Sequence, residues 1–142
     1  VSHPTIAQRL ILEITETSAM SMPELVISFM NDMHAKGISF ALDDFGAGQT
    51  SFRYLRDFFF DIIKIDGQFT RGIGSKPDNQ VLAQALVSIA NHFEMFSVAE
   101  SVETEVDAIF LASIGFDCLQ GYYHGAPTVR PSWQNSDEKM AS

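Results

Sequence analysis

The sequence predicts an α/β fold: a partial (β/α)8 TIM-like barrel with about five parallel strands that alternate with helices. Five short apolar runs recur along the chain, and segments with helical spacing of apolar residues separate them. The runs are apolar on both faces, as in a sheet that is covered or closed on both sides. A doubly wound open sheet fits the same pattern. Since a complete barrel usually takes about 250 residues, a chain of 142 residues would form only part of one.

The first half of the chain predicts two strands, a helix and a loop. Residues 10–15 form the first apolar run and residues 38–43 the second. Between them, residues 23–36 have helical spacing, with Ser21 as the expected N-cap and Gly37 as the C-terminal stop. Residues 45–51 form a Gly-rich loop, and residues 50–57 a short helix. The expected core face of the long helix consists of Leu25, Val26, Phe29, Met30 and Met33.

The second half continues the alternation. Strands are predicted at residues 60–66, 95–100 and 117–121, and helices at residues 77–93 and 103–114. Residues 1–133 are expected to form one unit, and the polar residues 134–142 a disordered tail. The expected core face of the helix at 77–93 consists of Val81, Leu82, Ala85, Leu86, Ile89, Ala90 and Phe93.

Composition excludes several classes of protein. The net charge of −9 argues against a DNA-binding protein, which needs a basic face. No apolar run approaches the roughly 20 residues of a membrane span, and no secretion signal is visible. Cys118 is the single cysteine, so a disulfide framework and a thiolate zinc site within one chain are excluded. A reducing, cytoplasmic setting fits this composition.

Polar residues recur where the predicted strands end. Because the carboxyl ends of parallel strands meet at one mouth, these side chains are expected to form one site. Such a cluster of carboxylates needs a cation, and Mg²⁺ or Mn²⁺ is the natural one for oxygen ligands. Two metal ions about 4 Å apart suit attack of water on a phosphodiester. The strand-end residues are Glu13, Thr15, Glu16, Asp43, Asp44, Lys64, Asp66, Glu100, Glu103, Gln120 and Gly121.

Each of these residues also has a purely structural interpretation. A single Asp at a strand end is often a turn or cap residue, and Lys64 could merely pair with Asp66. Glu100 and Glu103 could cap the helix that follows. The glycines of residues 46–48 could serve only a tight turn, because the fuller phosphate-loop patterns are missing. The four histidines show no metal-ligand spacing.

Five short motifs resemble, in order, those of the second half of an EAL domain, the family that linearises cyclic di-GMP to pGpG. Residues 12–16 (LEITE) are similar to its E-[LI]-T-E motif, and residues 43–48 (DDFGAG) to DDFGxG. Residues 64–66 match KID, residues 99–103 (AESVE) resemble AEGVE, and residues 120–122 match QGY. The resemblance extends over about residues 10–127 and identifies the chain as the C-terminal half of such a domain.

The resemblance implies a role for each matching residue. Glu13, Asp43 and Asp44 would be metal ligands, with Asp43 bridging two ions. Lys64 would contact the nucleophilic water or the phosphate, Glu100 would act as general base or through metal-bound water, and Gln120 would hold the site or the substrate. The remaining residues, expected to support the site and its loop, are Glu16, Gly46, Gly48, Asp66 and Glu103.

The resemblance also implies cofactors and partners. A phosphodiesterase of this kind would use a two-metal site with Mg²⁺ or Mn²⁺, with Ca²⁺ as an inhibitor, in bacterial second-messenger signalling. The expected partners are cyclic di-GMP, a second copy of the chain or the N-terminal half of the domain, and an upstream sensor or receiver domain.

The sequence departs from the family pattern in three places. The EAL motif and an Asn ligand would lie before Val1, so the isolated chain is expected to be weakly active or inactive. Gln49 and Thr50 stand where Tyr and Ser are common, and Ser101 stands where Gly is usual.

Three alternatives remain open at the level of sequence. One is a cyclic di-GMP receptor that does not cut its ligand. Another is an interaction module that dimerises through Phe58, Phe59 and Phe60 or through an open sheet edge. The third is a flavodoxin-like phosphoacceptor, a fold in which Glu13, Glu100 and Gln120 have no place.

Overall fold

A computed structural model describes residues 4–47, 55 and 57–128. Within these residues, five strands form one sheet in which they lie side by side in chain order. Every neighbouring pair of strands is parallel. Because the spatial order follows the chain order with no reversal, the sheet has the winding of a barrel and not that of a doubly wound sheet. The predicted fold class is confirmed. The strands are β1 (Ile11–Thr15), β2 (Ser39–Phe45), β3 (Ile62–Ile65), β4 (Phe96–Ala99) and β5 (Cys118–Leu119).

Helices connect the strands. The two longest, α3 (Pro23–His34) and α5 (Pro77–His92), both have a proline in their first turn, where its missing N–H costs no hydrogen bond. The helices are α1 (Pro4–Ala7), α2 (Glu16–Ser21), α3 (Pro23–His34), α4 (Gly67–Thr70), a 3₁₀ turn (Ile73–Ser75), α5 (Pro77–His92) and α6 (Glu105–Ser113). None of the helices in the described part of the chain has the length and apolar character that crossing a membrane requires.

The predicted N-cap of α3 is wrong, and the capping alternative for Glu103 is not observed. Ser21 is the last residue of α2, a helix that the sequence did not indicate, and Met22 precedes α3 without a side-chain cap. Helix α2 begins directly after β1 because Thr15 accepts a hydrogen bond from the backbone N–H of Ser18. At α6 the cap is Thr104 and not Glu103. Gly37 follows α3 with a φ of +85°, as expected of a residue that ends a helix.

The predicted core face of α5 is wrong in part. Val81 and Leu82 are 66% and 47% exposed, and Ala85 is also exposed. The buried face is rotated relative to the predicted one, and its buried residues are Ala83, Leu86, Val87 and Ala90. On α3 only Met30 is fully buried, while Leu25 and Phe29 of its predicted core face are exposed.

The core of the sheet forms from the two central strands. Phe40 and Leu42 of β2 and Ile63 and Ile65 of β3 are almost completely buried. Strand β2 extends to Phe45, two residues beyond its predicted end. Several expectations lie outside the described residues: the placement of Gly48, Gln49 and Thr50, most of the short helix at 50–57, and the polar tail.

Candidate functional site

A lysine and three carboxylates meet at the carboxyl ends of four neighbouring strands. Lys64 is 8% exposed. Its Nζ lies 3.2 Å from Glu13 Oε2, 2.9 Å from Asp43 Oδ1 and 2.9 Å from Glu100 Oε1. These residues belong to β1, β2, β3 and the end of β4, so the predicted meeting of strand-end side chains is confirmed for this group. Lys64 contacts Glu13, Asp43 and Glu100, and it does not serve Asp66 as its ion-pair partner.

A bulge in β2 brings two adjacent aspartates to the same site. Leu42 pairs with Ile63 and Phe45 with Ile65, so two residues of β2, Asp43 and Asp44, face the single Lys64 of β3. In a regular strand adjacent side chains point to opposite faces. Here Asp44 has a φ of +55°, which turns the chain and lets both carboxylates reach one mouth.

Three carboxylates are close enough together to share a metal ion. Asp43, Asp44 and Glu100 each offer an oxygen, and these oxygens lie within 4.8 Å of one another. One lysine cannot neutralise them together with Glu13, and hard divalent cations bind such oxygen sets. The donor set therefore fits Mg²⁺ or Mn²⁺. In this arrangement Glu100 is a third candidate ligand, and Glu13 is not within reach of the same three oxygens.

The pKa of Lys64 and the pKa of Glu100 both lie above their ordinary values. Burial alone would lower the pKa of Lys64, but hydrogen bonds to Glu100, Asp43 and Glu13 outweigh it and raise that pKa above its usual range. Burial raises the pKa of Glu100; Lys64 opposes this effect, and the charges of Asp43 and Asp44 add to it. The lysine is thus a firmly charged donor, and within this group of side chains the Glu100 carboxyl group holds a proton more readily than an ordinary glutamate.

Glu16 holds the start of the Gly-rich loop. Its Oε2 accepts a hydrogen bond of 3.3 Å from the backbone N–H of Gly46, and the residue is only 5% exposed. Gly46 has a φ of +97°, and a Cβ there would lie 2.2 Å from the ring of Phe69. The side chain of Gln68 donates to the Gly46 carbonyl. Only glycine fits this position, so the backbone just after the bulge is held at Gly46.

The other predicted site residues lie around the cluster. Asp66 is the N-cap of α4 and accepts a hydrogen bond from the backbone N–H of Gln68 at 2.8 Å, the structural role weighed for an Asp at a strand end. Glu103 accepts from Arg71 Nε at 3.1 Å. Gln120 lines a cavity of about 290 Å³ that also has Glu100, Glu103 and Arg71 in its wall.

Sequence reasoning missed Arg71 and Asp107. Asp107 is 3% exposed and accepts hydrogen bonds from the backbone N–H groups of Gly72 at 3.1 Å and Gly74 at 2.8 Å. It thereby fixes the 3₁₀ turn that follows Arg71. A sequence signal exists, because Thr104 and Asp107 have the spacing of a capping box, and the Thr104 hydroxyl accepts from the Asp107 N–H.

Comparison with known proteins identifies relatives of this chain. The sequence pattern of the EAL domain matches residues 1–127. The chain is 37% identical over 126 residues to the probable cyclic di-GMP phosphodiesterase PdeD of Escherichia coli (strain K12), covering 89% of this chain and 23% of the relative. It is 33% identical over 125 residues to the bifunctional diguanylate cyclase/cyclic di-GMP phosphodiesterase MucR of Pseudomonas aeruginosa, covering 88% and 18%.

Solved structures share the fold. The EAL domain of Mycobacterium smegmatis DcpA superposes with a TM-score of 0.82 at 32% identity, covering 91% of this chain and 58% of that one. The PaMucR phosphodiesterase in complex with c-di-GMP gives 0.81 at 32% identity, covering 91% and 51%. The manganese/cy-diGMP complex of Klebsiella pneumoniae BlrP1 at pH 9.0 gives 0.78 at 28% identity, covering 82% and 30%.

The match extends over most of this chain but over a small part of its relatives. The chain spans about a quarter or less of the length of PdeD and MucR. Since the family pattern covers residues 1–127 of 142, the chain belongs to the EAL domain family.

Proposed function

We propose that this chain is the carboxyl-terminal part of the catalytic domain of a cyclic di-GMP phosphodiesterase, which hydrolyses its substrate to linear pGpG. One observation carries the proposal: Lys64 and the carboxylates of Glu13, Asp43 and Glu100 meet within 3.2 Å at the ends of four strands. The names of the relatives support this choice of substrate.

The proposed cofactor is a pair of Mg²⁺ or Mn²⁺ ions. Asp43, Asp44 and Glu100 would hold them, and Glu13 would join when Lys64 turns to the substrate. When bound, the metal ions would lower the pKa of the attacking water and neutralise the phosphate. Calcium, which accepts looser and larger coordination, is proposed to fill the site without supporting turnover. The Klebsiella pneumoniae BlrP1 complexes with calcium or manganese support divalent metals in general.

Each residue of the cluster has a proposed task. Glu100, through the carboxylate oxygen that is not offered to a metal ion, would take a proton from the attacking water. The water oxygen forms a bond to phosphorus, the bond from phosphorus to the 3′-oxygen breaks, and the 3′-oxygen takes up a proton from solvent. Lys64 remains charged and donates to a phosphate oxygen, where negative charge develops. Glu16 keeps the loop beside Asp44 in place through the Gly46 amide, and Gln120 lies in the wall of the substrate cavity.

The test is product formation. Cyclic di-GMP is incubated with Mn²⁺ and either the 142-residue chain or, where the gene encodes residues before Val1, the longer product. Chromatography then follows pGpG. Turnover is expected in the longer product, with weak or no turnover in the isolated chain. The double variant Asp43→Asn, Asp44→Asn should lose turnover. Asp32→Asn, a matched change at an exposed position of α3, should keep it. Equal rates in wild type and the double variant would refute the proposal.

A second candidate is a receptor that binds cyclic di-GMP without cutting it. The observation that favours it is the position of Lys64, whose single positive charge is shared among three carboxylates, so the chain itself offsets part of the negative charge of the site. Calorimetry in EDTA distinguishes the two. Tight binding in EDTA, with no pGpG after Mn²⁺ is added, would favour the receptor, and metal-dependent binding followed by turnover would favour the enzyme.

We further propose a cytoplasmic setting, a sensor or receiver domain next to this one, and assembly either with a second copy or with the first half of the barrel. In this proposal residues 1–133 are the folded unit. The length of the relatives beyond the matched segment supports an adjoining domain. Light scattering of the chain alone and of the longer gene product measures the assembly state, and a monomer in both would refute the second-copy alternative.

A further inference from the structure

Ser101 has a backbone conformation that side chains rarely adopt. It follows β4 directly, next to Glu100, and its φ is +54°. The residues on both sides of it are held by hydrogen bonds. The Glu100 N–H donates to Ile65 O at 3.1 Å, and its carbonyl accepts from the Thr70 hydroxyl. The Val102 N–H donates to Gln120 O at 3.0 Å. The neighbours therefore impose the left-handed turn, which glycine would adopt without crowding.

Ser101 stands in the wall of a cavity that a ligand could enter. Ser101 is half-buried and lines the 290 Å³ cavity together with Glu100, Gln120 and Arg71. Among the described residues, its hydroxyl makes no hydrogen bond. Strained, unpaired polar side chains at a cavity wall are typical of sites that bind something.

Gly67 leaves room for this serine. A Cβ on Gly67 would lie 2.5 Å from Ser101 Oγ and 2.7 Å from Ser101 Cβ, both too close for real atoms. The start of α4 and the end of β4 therefore fit each other only as a glycine and a small side chain. A glycine at position 101 would need no such space. Gly67 therefore leaves the room that the Ser101 side chain and its hydroxyl occupy.

We propose that Ser101 is a substrate-contacting residue whose hydroxyl donates a hydrogen bond to a phosphate oxygen of the bound cyclic dinucleotide. The inference rests on the proposed function. Its acceptor is a phosphate because the adjacent residue, Glu100, lies 2.9 Å from Lys64, the cation expected to hold that phosphate. Arg71 lines the same cavity and offers a second cationic donor.

Two variants separate the hydroxyl from the strained backbone. Ser101→Ala removes the hydroxyl and keeps a Cβ at a positive φ, whereas Ser101→Gly removes both. Binding of cyclic di-GMP is measured by calorimetry in Ca²⁺, in the longer gene product where one exists. Both variants should bind about tenfold or more weakly, the loss expected of one hydrogen bond to a charged acceptor. Ser113→Ala, which removes an exposed hydroxyl on α6, should bind like wild type.

Two further readouts exclude a merely structural effect. Affinity for Mn²⁺ should be the same in wild type and Ser101→Ala, and the Tm of Ser101→Gly should equal or exceed that of wild type. Gly67→Ala should weaken binding of cyclic di-GMP in the wild-type background, where it displaces the Ser101 side chain. It should have little effect when combined with Ser101→Gly. This non-additivity would tie the glycine to the serine.

The outcomes distinguish the role of Ser101 from the proposed function on which it rests. If wild type binds cyclic di-GMP and Ser101→Ala binds equally well, the role of Ser101 is refuted and the proposed function stands. If no form of the wild-type protein binds cyclic di-GMP, both are refuted. Parallel losses in Ser101→Ala and Ser101→Gly, with unchanged Mn²⁺ affinity, would establish the contact.

Discussion

Removing the charge of Lys64 should make the stability of the chain depend on metal ions. In Lys64→Met, Glu13, Asp43 and Glu100 lose their shared cation. Glu13 is 52% exposed and is screened by water, but the side chains of Asp43 and Glu100 are only 22% and 17% exposed. Two poorly solvated carboxylates without a partner, partly relieved by taking up protons, should cost about 2–4 kcal/mol of the free energy of unfolding. This corresponds to about 10 °C in Tm.

Urea unfolding in EDTA and in saturating Mn²⁺ measures the effect. In Lys64→Met the metal ion replaces the missing positive charge, so it should bind the folded variant more tightly than folded wild type. Each tenfold difference in Kd narrows the gap in stability by about 1.4 kcal/mol. The gap between wild type and Lys64→Met should therefore be large in EDTA and small in Mn²⁺. Lys36→Met, at an exposed position after α3, should show no gap in either buffer. Equal gaps in the two buffers, or no gap in EDTA, would refute the reasoning.

Three further variants test the supports of the site. Glu16→Ala deprives the Gly46 N–H of its acceptor, so the hydrogen exchange of this amide should accelerate and about 1–3 kcal/mol of stability should be lost. Gly46→Ala places a Cβ 2.2 Å from the Phe69 ring at a φ of +97°, which should cost about 2–4 kcal/mol in urea unfolding. Asp107→Ala leaves two glycine amides without an acceptor; proteolysis near Arg71 should become faster. Wild-type values in any of these measurements would contradict the corresponding contact.

Local patterns of apolar residues were sufficient to predict where the strands lie in the sequence. The predicted first strand at 10–15 differs from Ile11–Thr15 by one residue at its start, and the predicted fourth strand at 95–100 differs from Phe96–Ala99 by one residue at each end. Their apolar runs are short and bounded by polar residues, so little competes with the strand. The parallel order followed from the helices between them. Placement of Lys64 near Glu13, Asp43 and Glu100 followed from the same rule, because parallel strands end at one mouth.

Three features could not be predicted because they depend on residues outside the local pattern. The bulge at Asp43 and Asp44 exists only in relation to the pairing of β2 with β3. The cap at Ser21 was wrong because Thr15, six residues earlier, already starts a helix. The core face of α5 was misplaced because large exposed side chains such as Val81 gave the stronger apolar signal, while the small Ala83 packs on the sheet.

The bulge in β2 has a genetic consequence. Because β2 carries one residue more than β3 at this point, loss of a single codon at Asp44 would restore the regular pairing of Phe45 with Ile65. The buried residues of both strands would keep their faces, and the sheet could still fold. The mouth would keep one aspartate and lose the other. An in-frame deletion of three nucleotides thus offers a direct route from this cluster of carboxylates to a folded relative with one carboxylate fewer.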